Sequence, residues 1–212
     1  MLKIFSGAAM PLLALLFSAF LLPGMPCANA AEPAKASVKL VAVDDARIFV
    51  DRPRDPSTPS LQHPEDNANK DELAHTVGRQ RHLYGAAGRN ISLGKEETVT
   101  GLMRATVQKA LEAKGYRLVE DGAPQDAAAR LLSVSITQFW TWQTPGPFGK
   151  SAEFRAIAVL TGDALFGTPS ITVEGYASDD TAHVRAGHWH DIMQAGLDEL
   201  RTKIEAQLKP AS

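Results

Sequence analysis

Three strand candidates in succession, with a long amphipathic helix behind them, restrict this chain more than any other feature. Leu131 to Trp142 sets Leu132, Val134 and Ile136 against Ser133, Ser135 and Thr137, the period-two pattern of a strand with one buried face. Phe154 to Leu165 and Ser170 to Ala177 are the second and third, joined through Gly167-Thr168-Pro169. From His188 to Leu208, Trp189, Ile192, Met193, Gly196, Leu197, Leu200, Ile204 and Leu208 recur at helical spacing with charges opposite. Such a stripe must be buried, and a sheet face is the nearest cover. Trp140 and Trp142 share parity with Leu132, but Gln138 interrupts that apolar face and predicts a bulge or sheet edge between them.

The preceding chain supplies the rest of the layers. Val38 to Val43 is a β-branched first strand that Arg47 to Val50 continues or follows with a second short one. Residues 51–66 carry Pro53, Pro56, Pro59 and Pro64 and read as a mobile loop inserted in one domain. Ala74 to Tyr84 is a weakly patterned strand. Glu96 to Lys114 is a helix on the spacing of Val99, Met103, Val107, Ala110 and Leu111, ended by Gly115 and followed by a short strand from Tyr116 to Glu120. Strands grouped beside two helices predict an α+β domain over 38–212, with a mostly antiparallel sheet and both helices on one face.

The amino end reads as an address. Lys3 precedes the uncharged run Pro11 to Leu22, and Ala28-Asn29-Ala30 is a small-x-small cleavage pattern. That run is 12 residues long, short of the about 20 needed to span a hydrocarbon core. Residues 1–30 are therefore expected to be a signal peptide and 31–37 a short tether. Cys27 offers the other processing route, acylation as a lipoprotein, although Pro26 stands where such a site prefers a small residue. Cut after Ala30, the mature chain has no cysteine, because Cys27 is the only one in the sequence.

Lys+Arg 22 against Asp+Glu 24 gives a net charge of −2, with no basic footprint for nucleic acid. His183, His188 and His190 with Asp191 are the nearest approach to a metal set. On a helix, however, residues two apart diverge by about 200°, so the expected role is a polar helix start. Ser133 and Ser135 have no Gly-x-Ser-x-Gly elbow around them and read as the polar face of a strand. Gly85-Ala86-Ala87-Gly88 lacks the rest of a phosphate loop and reads as a turn. Asp44 and Asp45 fall on opposite faces of a strand and make no carboxylate dyad; Arg79 and Arg81 share a face that solvent should cover. Trp140 and Trp142, with Phe148 in the proline- and glycine-rich segment after them, are the candidate ligand or partner surface, set against a core role for the two indoles.

Several short motifs then fall into a known order. Val43-Asp44-Asp45-Ala46-Arg47 resembles the V-x-D-x-R first strand of the YajG-like family of bacterial envelope lipoproteins. Val77-Gly78-Arg79 with Gly85 resembles its V-G-x-R…G strand, and Leu111 to Tyr116 its L-x-x-x-G-Y/F helix exit. Phe139-Trp140, Gly149 and Phe154 onward fit its following hairpin, so the resemblance spans roughly residues 38–177. It departs at Pro26 and in the length of the 51–66 segment. The resemblance implies a small α+β periplasmic domain with no catalytic residues to carry over. The favoured expectation is a non-enzymatic envelope protein acting through contacts with other envelope proteins. It would be periplasmic, or tethered to the outer membrane through Cys27, and would need no cofactor. A glycan- or ligand-binding module at the tryptophans is the alternative, and a metal-dependent hydrolase the third reading.

Overall fold

The computed structural model describes residues 36–61, 63, 69–81, 87–119, 128–146, 149–181 and 184–211. Cys27, Phe148, His183 and the expected signal peptide lie outside them. Lys35–Ser212 forms one compact unit. Its elements are β1 (Ser37–Asp45), β2 (Val50–Asp51), β3 (Ser60–Leu61), α1 (Lys70–His75), β4 (Thr76–Arg81), β5 (Ala87–Ser92), α2 (Val99–Ala113), β6 (Arg117–Leu118), β7 (Arg130–Gly146), β8 (Gly149–Thr161), α3 (Asp163–Phe166), β9 (Ser170–Thr181) and α4 (Ala186–Gln207).

The fold is α+β, as expected. Its sheet is mixed rather than mostly antiparallel. β7, β8 and β9 form an antiparallel meander, with Val134 opposite Leu160 and Phe154 opposite Ala177. The other edge of β7 is shared. β1 runs parallel along Arg130 to Ile136 with β6 outside it, and β4 meets β7 in parallel at Thr141 with β5 outside it. Parallel neighbours come from chain segments roughly 60 to 90 residues apart, so no local sequence pattern announces them.

The two long helices pack on one face, as the stripe requires. Met103, Val107 and Leu111 of α2 meet Leu197, Leu200 and Ile204 of α4 in one core with Val38, Leu132, Val134, Ile136, Phe139, Phe154 and Leu160 of the sheet. α2 begins at Val99 rather than at Glu96, because the Thr98 side chain accepts the Gly101 N–H at 3.0 Å and caps the helix there. At its other end the Tyr116 N–H bonds to Leu111 O and the Gly115 N–H to Glu112 O, with Gly115 at φ +84°. This paired closure needs a left-handed residue, and glycine supplies it without steric cost.

Other boundaries move for local reasons. The strand expected to run to Leu165 stops at Thr161, where Gly162 opens the short helix α3. Of the single strand expected over 74–84, Ala74 and His75 end α1 and Thr76–Arg81 form β4, while 82–84 lie outside the described residues; β5 is an additional strand. The strand after α2 is confined to Arg117 and Leu118, held against Ser37 and Val38.

One irregularity reorganises the sheet. The β7–β8 register slips between Ile136 and Gln138, so one extra residue sits in β7. Before the slip Leu132, Val134 and Ile136 face the helices; after it Phe139 takes that face. Trp140 and Trp142 turn to the opposite side. Residues 51–61 of the proline-rich segment lie there as a cover, while Pro64 and the end of the loop expected over 51–66 lie outside the described residues. The Trp140 indole N–H donates to Pro56 O at 3.3 Å, the Gln138 amide donates to Ser57 O at 3.0 Å, and β2 pairs with β3. The cover gives the sheet a second, smaller layer.

Candidate functional site

Trp140 and Trp142 are 1% and 3% exposed, so neither indole presents an open face. Phe49 meets Trp140 edge-on with ring centroids 6.0 Å apart, completing the seat of the proline-rich cover. Trp142 lies beside Tyr176, and the Arg155 guanidinium stands 5.6 Å from both ring centroids. Glu153 accepts from the Thr144 and Tyr176 hydroxyls at 2.6 and 2.8 Å. Of the two roles weighed for these tryptophans, candidate surface and core, both indoles take the buried one, in an internal packing layer on the second face of the sheet. The register slip put the indoles on the second face, and the cover closed over Trp140.

The histidines separate. His188 Nε2 lies 3.3 Å from the Asp179 carboxylate of β9, whereas His190 is exposed on the next part of the helix surface. Ser133 and Ser135 are half-buried strand residues, and Asp44 is exposed. No catalytic residue was expected from the sequence.

Asp45 and Arg47 carry the most elaborate polar arrangement. The Arg47 guanidinium, wholly buried, makes a two-pronged bond to the Asp45 carboxylate at 2.8 and 2.7 Å. Its remaining N–H groups reach Thr76 O at 2.7 Å, Phe139 O at 3.1 Å and Leu73 O at 2.7 Å. Arginine's rigid fork suits this task, since it can serve a carboxylate and several carbonyls at once. The exit of β1 is thereby tied to α1, β4 and β7. At Gly78, an added Cβ would lie 2.3 Å from Thr141 Oγ1, so only glycine lets β4 approach β7 at their single pairing point. Arg79 is 3% exposed and bonds the Asn90 side-chain oxygen, against the expectation that solvent covers it. The residues of the two short motifs are therefore occupied in assembling the sheet.

A cleft of about 330 Å³ opens between the β4–β5 hairpin and the start of α4. Its apolar lining includes Val77, Ile91, Leu93, Trp189 and Met193; Glu97 and Arg185 supply the charge, and His190 adds a polar ring. Arg185 occupies the N-cap of α4 without a side-chain capping bond. The volume falls within the about 300–1,000 Å³ of ordinary ligand sites. Sequence reading missed the cleft because β5 itself went unrecognised. Gly88 and Asn90 dilute its apolar pattern, leaving Ile91 and Leu93 as the visible signal.

Two carboxylates are held below their ordinary ionisation range. Lys203 stabilises ionised Glu199 at 2.8 Å, and the Tyr176 backbone N–H donates to the same group at 2.6 Å. The Ser57 backbone N–H does the same for Asp55 at 2.8 Å. Burial, then the bond to Glu153, pushes the Tyr176 hydroxyl up. A depressed carboxyl contributes stability above its unfolded ionisation range and loses it as pH falls through the folded one. Thermal stability is therefore expected to fall on acidification through the carboxylate range. Glu199→Gln should flatten part of that fall, as melting curves taken at successive pH values would show.

No protein-family model matches the chain, and no curated protein matches it. Solved structures resemble it at low identity. A crystal structure of an uncharacterized protein is 12% identical with a TM-score of 0.41, covering 81% of this chain and 92% of that one. A Xanthomonas campestris protein of the DUF330 family is 10% identical with a TM-score of 0.40, covering 82% and 85%. A minor lipoprotein from Acinetobacter baumannii is 14% identical with a TM-score of 0.37, covering 55% and 91%.

Proposed function

We propose that this protein is an exported, non-enzymatic component of the bacterial cell envelope that works through contacts with other envelope proteins, in the manner of the YajG-like lipoproteins it resembles. The observation that carries the reading is the amino-terminal address, the uncharged run Pro11 to Leu22 followed by Ala28-Asn29-Ala30. Among the described residues no helix is long and apolar enough to cross a membrane.

The use made of the motif residues also supports a role in contact rather than chemistry. Asp45, Arg47, Gly78 and Arg79 are engaged in holding strands together. Apolar side chains meanwhile stand in solvent at Val41, Ile48 and Leu131, which are 52%, 78% and 60% exposed. These offer partner-facing surface outside the core.

The intact mass of protein purified from its natural host tests the address. The expected mass is that of a chain beginning at Ala31. A chain beginning at an acylated Cys27 would replace the soluble form with a membrane-tethered one and keep the envelope assignment. A full-length mass beginning at Met1 would overturn it.

A further inference from the structure

Among the described residues three strands bound the sheet, β5, β6 and β9, each bonded to a single neighbour. β9, with 12 residues, is the longest of them. A long open edge is a template for pairing with another chain, and folded proteins blunt such edges. Here the blunting group comes from α4. Gly175 of β9 and Gly196 of α4 approach so closely that a Cβ on Gly175 would lie 2.2 Å from Gly196 O. Glu199 follows Gly196 by about one helical turn and is thereby carried to the strand. Its carboxylate accepts the Tyr176 backbone N–H at 2.6 Å, and Lys203 holds the same carboxylate at 2.8 Å. Along an antiparallel strand, successive residues alternate between bonding one neighbour and bonding the other. Since the Tyr176 N–H goes to α4, Tyr176 belongs to the outward set, and Glu174 and Ser178 belong with it.

We propose that Glu199 guards this edge, keeping β9 from pairing with β9 of a second copy of the chain. The proposal goes beyond the envelope reading and does not depend on it. The strand's own sequence is compatible with self-pairing. When two copies run antiparallel about Tyr176, Glu174 falls opposite Ser178, Thr172 opposite Asp180, and Tyr176 opposite its counterpart. No like charges stand directly opposite, the arrangement that would otherwise deter the pair, and the two tyrosines form an aromatic cross-strand pair. The central bonds of such a ladder run between the two Tyr176 residues, each N–H reaching the other's carbonyl. Glu199 occupies the very N–H that both copies need. Pairing would require each copy to give up a charge-assisted bond, and these are about twice as strong as neutral ones. It would also bring a strand's carbonyl oxygens against an ionised carboxylate.

Sedimentation velocity over a concentration series, on protein expressed in and purified from its natural host, provides the test. Glu199→Ala is expected to tighten self-association by about tenfold or more, the equivalent of one charge-assisted bond. Glu199→Gln keeps an acceptor for the Tyr176 N–H and should behave as the unsubstituted protein does. Adding Ser178→Pro to Glu199→Ala should restore the monomer, because proline removes an outward N–H and is tolerated where that side of an edge strand faces solvent. Amide hydrogen exchange reads the edge directly. In the unsubstituted protein the Tyr176 amide should exchange more slowly than those of Glu174 and Ser178; in the Glu199→Ala dimer all three should be protected. A folded Glu199→Ala protein that stays monomeric would overturn the proposal, as would a dimer that Ser178→Pro leaves intact or an unsubstituted protein already paired through β9. Equal exchange at Glu174, Tyr176 and Ser178 in the unsubstituted protein would overturn it even if the alanine variant failed to fold.

Discussion

Replacing Arg47 with alanine is expected to destabilise the domain by about 2–6 kcal/mol, because the buried carbonyls of Thr76 and Phe139 lose their donor at about 1–3 kcal/mol each. The guanidinium is wholly buried, so its loss leaves the Asp45 carboxylate and the carbonyls of Leu73, Thr76 and Phe139 without their donor. A buried polar group left unsatisfied costs more than the bond contributed while it was made. Arg47→Lys should recover little, since a lysine ammonium cannot reproduce the two-pronged bond to Asp45 while also reaching three carbonyls. Equilibrium unfolding in urea measures both variants. A cost below about 1 kcal/mol, the usual worth of an exposed pair, would show that Arg47 is solvated in solution.

Leu200→Ala is expected to cost about 2–5 kcal/mol. In a chain of this size that lowers the melting temperature by roughly 4–20 °C. Leu200 is fully buried, and it sits where α4 comes closest to the sheet. A Cβ added at Gly175 of β9 would lie 2.2 Å from Gly196 O and 2.6 Å from Leu200 Cβ. Helix and strand therefore touch backbone to backbone, and the site has little freedom to collapse around a missing side chain. The transition should stay single, because α4 shares its core with α2 and the sheet. Truncation before Ala186 should abolish that transition. A truncated protein that melts unchanged would instead make α4 an independent arm.

How far the sequence alone reaches depends on whether the information is local. The stripe from Trp189 to Leu208 and the capping at Gly115 are short-range patterns, and both appear where periodicity and turn chemistry put them. The alternation at Leu132, Val134 and Ile136 also holds, but only as far as the extra residue in β7. Gln138 marked that interruption. Nothing nearby said that the faces would exchange beyond it, so Trp140 and Trp142 shared parity with a core that they in fact leave. The proline-rich segment reads as a loop by composition, and its Pro56 and Ser57 carbonyls are held by Trp140 and Gln138, about 80 residues further along. The parallel pairings of β7 with β1 and β4, and the cleft that unites β5 with α4, have the same long-range origin. Arg47 was visible only as a letter in a motif; its partners come from three separate elements.

The central claim is that this protein acts in the envelope by touching other proteins. Photo-crosslinking in the natural host tests it most directly, with a photoreactive side chain placed in turn at Leu131 on the exposed sheet face and at Gln80 beside the cleft. Mass spectrometry of the products would show both the processed amino end and the attached partner. The account predicts discrete adducts with one or a few envelope proteins, on a chain that has lost residues 1–30 or begins at an acylated Cys27. Full-length chain in the cytosol, with no protein adduct at either position, would contradict it.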